Sequence, residues 1–482
     1  MVGEQVLKIG DQDARRAMLA DRLAVYENDW DDLLTTELRK QFVQETFDNI
    51  KLMLDTSQNV FRRIVREISM VYKMAGTRTL TDADGNAIES DEWERLETDF
   101  NMDALLAEAH RISKAATMAF IRVRHIQSEG RLGLEIITPD QAHVVIGSDN
   151  PTRMDGFAYR VAGVDRAGKQ ITYWVYYTRD RILYVGEDGK QIDPPLGEWE
   201  GNYDETNPYG MIPVVPFPCA QHTRSFWRLN WNKDAYRSNL IIGVLNTYMN
   251  YLVKTQSFKQ VVISGSDVSK ELLNAVSDPL YPWVLGQGTT ATTLDLNTQL
   301  SAIDNVIRGK ITSIANNYGI SPENFTVSGN LQSGYAIRVA NRALEEIREA
   351  DIALCYIVEK QLFQVIRTVY NTIYEPGLPE DVDMQWNPGE IAYPPAWEEE
   401  EQQWRFEMEI GVKNQIDYLI ARDPQLDRET AKRHISLICE ENKEINPKPS
   451  LADALFRNIA ANDTGRKQEG QNATDQAGAS TN

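Results

Sequence analysis

Residues 334–374 read GYAIRVANRALEEIREADIALCYIVEKQLFQVIRTVYNTIY, with no proline and no glycine after the first position. Ala340, Leu344, Ile347, Leu354, Val358, Leu362, Val365 and Val369 recur at intervals of three, four and seven, the period of a helix with one apolar face. At 1.5 Å per residue such a helix runs about 60 Å. That exceeds the ordinary globular length, so neighbours must support it along much of its course. Its five acids and five bases are read as a mixed solvated face.

On its N-terminal side lies a polar loop, GISPENFTVSGNLQSG (319–334), whose single charge is Glu323. Before the loop, Leu300, Ile303, Val306, Ile307, Ile311 and Ile314 predict a helix over 297–318. A second broad stripe, from Leu240 to Leu252, predicts a helix over 233–257. Between these two helices lies a small α/β insert, with a strand at 258–265, a short helix at 268–276 and strands near 282–285 and 291–296. Beyond Pro376 a strand at 382–386 precedes helices at 395–411, 414–421, 427–441 and 450–461. The tail 463–482 is poor in hydrophobes and expected to be disordered.

The N-terminal 75 residues read as helical, with one amphipathic helix running from Asn59 until Gly76 stops it. A hairpin at 77–92 turns at DADG, and a single helix is expected over 93–116. Asp82 to Glu108 holds ten acids and one base, a locally solvated acidic surface. From Met118 to Trp199 the pattern becomes alternating and β-branched: AFIRVRHI, LEIITP, HVVIG, GFAYRVAGV, ITYWVYY and RILYVG. The spacings Asp82–Gly85–Ile88, Asp165–Gly168–Ile171 and Gly186–Gly189–Ile192 predict hairpin turns with glycine at positive φ. An EF-hand reading of DADGNAIESDE fails, because its glycine comes fourth rather than sixth. The fold class is therefore α+β, mostly helical.

At 482 residues and 42% hydrophobic composition the chain supports roughly two to four folding units. No run reaches the length of a membrane span; the best, Leu240 to Val253, contains Asn246 and Asn250. The first residues lack the apolar core of a signal peptide, so synthesis in a cytoplasm is expected. Cys219, Cys355 and Cys439 lie far apart and read as buried small hydrophobes. The five histidines show no zinc spacing, and no phosphate loop, dinucleotide fingerprint, nucleophile elbow or kinase set occurs. No catalytic residue, metal ligand or cofactor is therefore assigned. The net charge of −21 disfavours a strong basic grip on nucleic acid.

The order of elements, together with NVFRRIVREISMVYKMAG (59–76), NPYGMIPVVPF (207–217), SGNLQSGYAIRVANRALEE (328–346) and ARDPQLDRETAKRHISLICEE (421–441), resembles the portal proteins of tailed bacteriophages of siphovirus or podovirus type. The resemblance covers roughly residues 40–460. It implies a ring-forming subunit with a wing at 1–230, stem helices at 231–257 and 297–318, a clip at 258–296 and a tunnel loop at 319–333. The long helix and strand (334–394) would complete the wing, with outer wing and crown helices at 395–462.

The resemblance further implies a homo-oligomer of about twelve copies at the capsid vertex of a virion, made in the host bacterial cytoplasm and passing double-stranded DNA. Its implied partners are the terminase large subunit, head-completion or adaptor and tail proteins, and the major capsid and scaffold proteins. No membrane is involved. Twelve copies of a −21 chain carry −252, so DNA would slide without sticking. The loop residues Glu323, Asn324, Phe325, Thr326, Val327, Asn330, Leu331 and Gln332 are its expected DNA-facing groups, with no Lys or Arg to pin a phosphate. Lys254, Lys259, Arg308 and Lys310 are candidate basic rings in the channel, against salt bridges between subunits or outward solvated positions. Leu280, Tyr281, Trp283 and Val284 are candidate clip contacts or core of that small domain. Two wide apolar stripes on the stem helices are expected to need neighbouring copies for burial. The rival readings are a non-channel adaptor or scaffold protein of a virion, and a metal-dependent nuclease.

Overall fold

A computed structural model of the chain describes residues 10–126, 129–196, 203–221, 224–256, 260–264, 290–294, 298–322, 334–390, 397–423 and 426–445. Two compact units emerge, one of residues 1–332 and 336–393, the other of residues 333–335 and 394–482. Twelve α-helices and twelve strands lie among the described residues. The long helix expected from the apolar stripe is α9, Gly334–Ile373. Val358, Leu362, Phe363, Val365, Ile366, Val369 and Tyr370 bury one of its faces in the largest core of the first unit.

Four short helices open the chain: α1 (Gly10–Glu27), α2 (Asp31–Gln41), α3 (Gln44–Ile50) and α4 (Val60–Ile68). The helix expected to continue to Gly76 ends instead at Ile68. Ser69 turns its hydroxyl onto the Val65 carbonyl at 2.7 Å, and a 3₁₀ turn follows at Val71–Lys73. The cause is a division of burial. Val60, Phe61, Ile64, Val65 and Ile68 belong to one core, whereas Val71 and Tyr72 belong to the core beneath α9. There Tyr72 stacks on Trp386 at 5.4 Å and meets Phe217 edge-on. One straight rod cannot serve both.

Strands β1 (Thr77–Thr81) and β2 (Ala87–Ile88) form the expected hairpin. The other edge of β1 pairs antiparallel with β12 (Asp383–Asn387), from Thr77↔Asn387 to Thr81↔Asp383. The single helix expected over 93–116 is two, α5 (Asp91–Phe100) and α6 (Met102–Ala116), because Asn101 takes a left-handed conformation at φ +47°. Asparagine tolerates that region, and the break lets Phe100 and Met102 both enter the core.

The six expected β segments appear as β3 (Met118–Ile126), β4 (Arg131–Ile137), β5 (Ala142–Ile146), β6 (Met154–Val164), β7 (Gln170–Thr178) and β8 (Ile182–Gly186). With β9 (Val214–Pro218) they make two antiparallel sheets, of order β4-β3-β9 and β5-β6-β7-β8. Gly85, Gly168 and Gly189 have φ of +86°, +83° and +79°. Each donates its N–H to the carbonyl three residues back, as the turn spacing predicts. Strand β7 buries both faces. Tyr173, Val175 and Tyr177 join Phe120 and Phe157 on one side, and Trp174 and Tyr176 join Leu183 and Val185 on the other. Its sequence therefore reads as almost continuously apolar.

His143 on β5 is buried beside Arg15, whose guanidinium donates to the Ala142 carbonyl at 3.0 Å. Burial, then the charges of Arg15 and Arg16, lower its pKa from 6.5 to about 4. The unfolded chain thus takes up this proton near pH 6.5 and the folded chain only near pH 4, so stability falls as pH drops through that window. The full effect is on the order of 3 kcal/mol. Denaturant midpoints measured from pH 7.5 to 4 should show a shallower acid decline in His143→Gln than in the parent; parallel curves would exclude this histidine as a contributor.

The second unit contains α10 (Trp397–Glu409), α11 (Gln415–Arg422) and α12 (Arg428–Ile445). Trp404 meets Tyr418 edge-on at 5.1 Å, and Asn414 with Asp417 forms a reciprocal cap at the start of α11. The expected helix at 450–461 and the tail 463–482 lie outside the described residues, as do the insert helix 268–276 and the strand near 282–285.

Candidate functional site

Helix α7 (Lys233–Gln256) and helix α8 (Thr298–Asn317) pack against each other in opposite directions. At one end, β10 (Gln260–Ser264) leaves α7 and pairs with β11 (Thr290–Leu294), which leads into α8. At the other end, the Tyr318 hydroxyl donates to Asp234 at 2.7 Å, and the Asn317 amide reaches the same carboxylate at 3.4 Å. Burial, then the hydrogen bond and charge of Asp234, push the Tyr318 phenol above its ordinary value. The insert and the polar loop therefore depart from opposite ends of one helical pair, about 30 Å apart for twenty residues at 1.5 Å each. Ile320, at the root of the loop, is buried in the same core as Leu344 of α9.

Part of the apolar surface of α7 is covered within the chain itself. Ala235, Leu240, Ile242 and Val244 pack against Trp30, Leu34, Leu38, Phe61 and Ile64 of the N-terminal helices and against Ile307, Ile311 and Ile314 of α8. The polar residues that interrupt the stripe bind the same neighbours. Asn239 accepts from the Phe61 N–H at 3.1 Å and Thr247 from the Asp55 N–H at 3.0 Å. The amides of Asn246 and Asn250 donate to Gln58 and Asp55. The expectation that these stripes need a neighbouring copy is thus corrected in part: the chain itself buries Leu240 and Val244 of α7 and Ile307, Ile311 and Ile314 of α8, while Leu245, Tyr248 and Tyr251 are half-buried and Ile241 and Val306 are exposed. Ile241, Val253 and Val306 are the large apolar side chains the pair leaves exposed among the described residues.

Of the predicted DNA-facing residues, Glu323, Asn324, Phe325, Thr326, Val327, Asn330, Leu331 and Gln332 lie outside the described residues, as do Lys259 and the insert residues Leu280, Tyr281, Trp283 and Val284. Lys254 is exposed near the end of α7, and Lys310 is half-buried on α8. Arg308 is exposed and pairs with Asp304 one turn earlier at 2.8 Å, which offsets its charge locally.

Sequence reasoning missed a buried ionic network beneath α9. Arg78 on β1, with its side chain fully buried, donates to Glu359 at 3.0 and 2.8 Å, to Glu97 at 2.9 Å and to Asp103 at 2.9 Å. Burial opposes charging Arg78, yet the hydrogen bonds and charge of Glu359 hold its pKa above the ordinary value. One turn-pair earlier on α9, Asp351 accepts from the buried Lys114 ammonium at 2.8 Å and lies 3.6 Å from His110. Lys114 also donates to the Cys219 carbonyl at 2.8 Å. The reading of α9's acids as wholly solvated is therefore corrected for Asp351 and Glu359, and the acidic surface at 82–108 for Glu97 and Asp103. One signal was present: Asp351, Cys355, Val358 and Leu362 continue the stripe spacing from Leu344, so an acid occupied an apolar face. Among the described residues no three His, Cys, Asp or Glu side chains are grouped to hold a metal ion, and no helix is long and apolar enough to cross a membrane.

A family model described as phage portal protein, SPP1 Gp6-like, matches residues 68–392. No curated protein matches the chain. Solved structures with a similar course include a chain from the neck of an empty gene transfer agent particle computed with C6 symmetry, at 15% identity and TM-score 0.44, covering 75% of this chain and 90% of that one. Another comes from the virion of a native gene transfer agent particle, at 12% identity and TM-score 0.42, covering 77% and 91%. A third comes from the neck of a native particle computed with C12 symmetry, at 14% and 0.41, covering 74% and 88%.

Proposed function

The chain belongs to the SPP1 Gp6-like phage portal proteins, and we propose that it works as one subunit of a ring through which double-stranded DNA enters and leaves a capsid. The family match over residues 68–392 carries the reading, since it spans the helical pair, the polar loop and α9. In this assignment residues 1–230 and 334–394 form the wing, α7 and α8 the stem, 258–296 the clip and 319–333 the tunnel loop, with 395–462 as outer wing and crown. The opposite placement of insert and loop supports it: one end of the pair would face the exterior, the other the narrowest part of the channel. The chain's role is to conduct and dock rather than to catalyse. The terminase would supply ATP hydrolysis, and head-completion and tail proteins would later occupy the outer end.

The net charge of −21 per subunit supports a passage that repels the duplex weakly and holds it nowhere for long. Lys254, Lys259, Arg308 and Lys310 would be transient contacts at most, with Arg308 discounted by its pairing to Asp304. A smaller assembly without a channel is the second reading, favoured by one observation, the burial of Leu240, Ile242 and Val244 of α7 within their own chain. Mass separates them. Twelve subunits of 54.8 kDa weigh about 660 kDa, and light scattering with negative-stain imaging should show rings with an open centre. Particles that stay at one or two copies, even when co-expressed with the capsid protein, would reject the channel.

A further inference from the structure

Between Thr206 and Ser266 the chain carries one acid, Asp234, and six Lys or Arg residues. Acids make up about one residue in seven of the whole, so some nine would be expected there. Asp234 itself is engaged by Tyr318 and Asn317. The basic excess gathers where the chain enters α7. A cleft of about 400 Å³ is lined there by Arg224, Trp227, Arg228, Asn230 and Trp231 among others, and its described lining holds no carboxylate.

The cleft is braced from within the fold. Arg15 lies over the Trp227 ring at 3.8 Å, Arg22 donates to the Leu229 carbonyl at 2.5 Å, and Arg228 donates to the Gln221 carbonyl at 3.1 Å while lying over Trp231. The Trp231 indole N–H, shielded from water, has no acceptor among the described residues. Arg224 is exposed, and so are Lys233 and Arg237, one turn apart on the face of α7 opposite its buried Ala235 and Ile242. Arg224, Lys233 and Arg237 form no ion pair with a described residue.

We propose that this patch, at the end of the helical pair from which loop 319–333 departs, is a binding site for the phosphodiester backbone of duplex DNA. Arg224, which lines the cleft with the Trp227 and Trp231 indoles, and Lys233 and Arg237 on the first turns of α7, all without a carboxylate partner among the described residues, suit a phosphate backbone whose position along the protein changes. The loop itself offers no cation, so phosphate contact would fall to its root. An acidic protein segment is the competing occupant. The proposal rests on the portal reading for the identity of its ligand, but its test does not require a ring.

The test is binding of a short fluorescent duplex to the full chain between about 50 and 200 mM salt, comparing the parent with a triple Arg224→Gln, Lys233→Gln, Arg237→Gln variant. Each phosphate left without its cation should lower the slope of log affinity against log salt by about one. A fall in slope of about three, with at least tenfold weaker binding at low salt, is expected; Lys169→Gln, on the β6–β7 hairpin, should leave both unchanged. Parent-like slope and affinity in a folded triple variant would overturn the site, whether or not rings form. Intact duplex binding with lost self-assembly would overturn it as well, and assign the patch to protein contact. Weakened binding in a chain that never forms rings would keep the site and reject the channel.

Discussion

Replacing Arg78 with methionine is expected to destabilise the first unit by about 3–5 kcal/mol, the cost of leaving a buried charge without its partner. Glu359 is fully buried, and Glu97 and Asp103 converge on the same guanidinium. Burial is the largest influence on the Glu359 carboxyl and pushes it up, with Arg78 pulling it back. Without Arg78 the folded chain would keep a proton on Glu359 that the unfolded chain releases, so the deficit should shrink as pH falls from 7 towards 5. Adding Glu359→Leu should recover most of the loss, since apolar groups of similar size often replace a buried pair at little cost. Denaturant unfolding of the parent, both single variants and the double variant measures the coupling. A single Arg78→Met loss below about 1 kcal/mol would show that water reaches the site and that the network is weaker than its geometry indicates.

Trp30→Ala should cost about as much, 3–5 kcal/mol for a large side chain removed from a closed core. Trp30 is fully buried and lies against Gly243 in the middle of α7. A Cβ at Gly243 would meet the indole ring at 2.8 and 2.9 Å. Gly243→Val is therefore expected to cost about 1–3 kcal/mol by overpacking, in addition to any change in helix propensity. The two sites are coupled: in a Trp30→Leu background the valine should be tolerated better than in the parent. Equal penalties in both backgrounds would show that the glycine serves the helix and not the contact. Because α7 belongs to the helical pair, both substitutions should also impair ring formation, which imaging of the same samples would record.

Several elements were legible because their causes are local. The stripe of α9, the three turn glycines and the alternating strands follow from periodicity and from φ values that glycine adopts freely. The absence of a signal for the breaks at Ser69 and Asn101 is equally physical. Nothing within a few residues distinguishes a helix that continues from one whose next apolar residues are claimed by a different core. The strand near 382–386 and the hairpin at 77–92 were both visible, but their pairing across some three hundred residues was not.

The order of residues alone specified most of the helices, the strands of the two sheets, the acidic balance and the family resemblance that the match over 68–392 supports. Folding in three dimensions was needed to show that Leu240 and Val244 of α7 are covered by the N-terminal helices and α8, and that Asp351 and Glu359 are buried in ion pairs. It also set the paired strands β10 and β11 and the Asp234–Tyr318 contact at opposite ends of one helical pair. The reason is that a side chain's period fixes which face it shares, whereas what covers that face depends on residues brought in from far along the chain. A charge on an apolar stripe can thus be read as misplaced, but its partner must be seen.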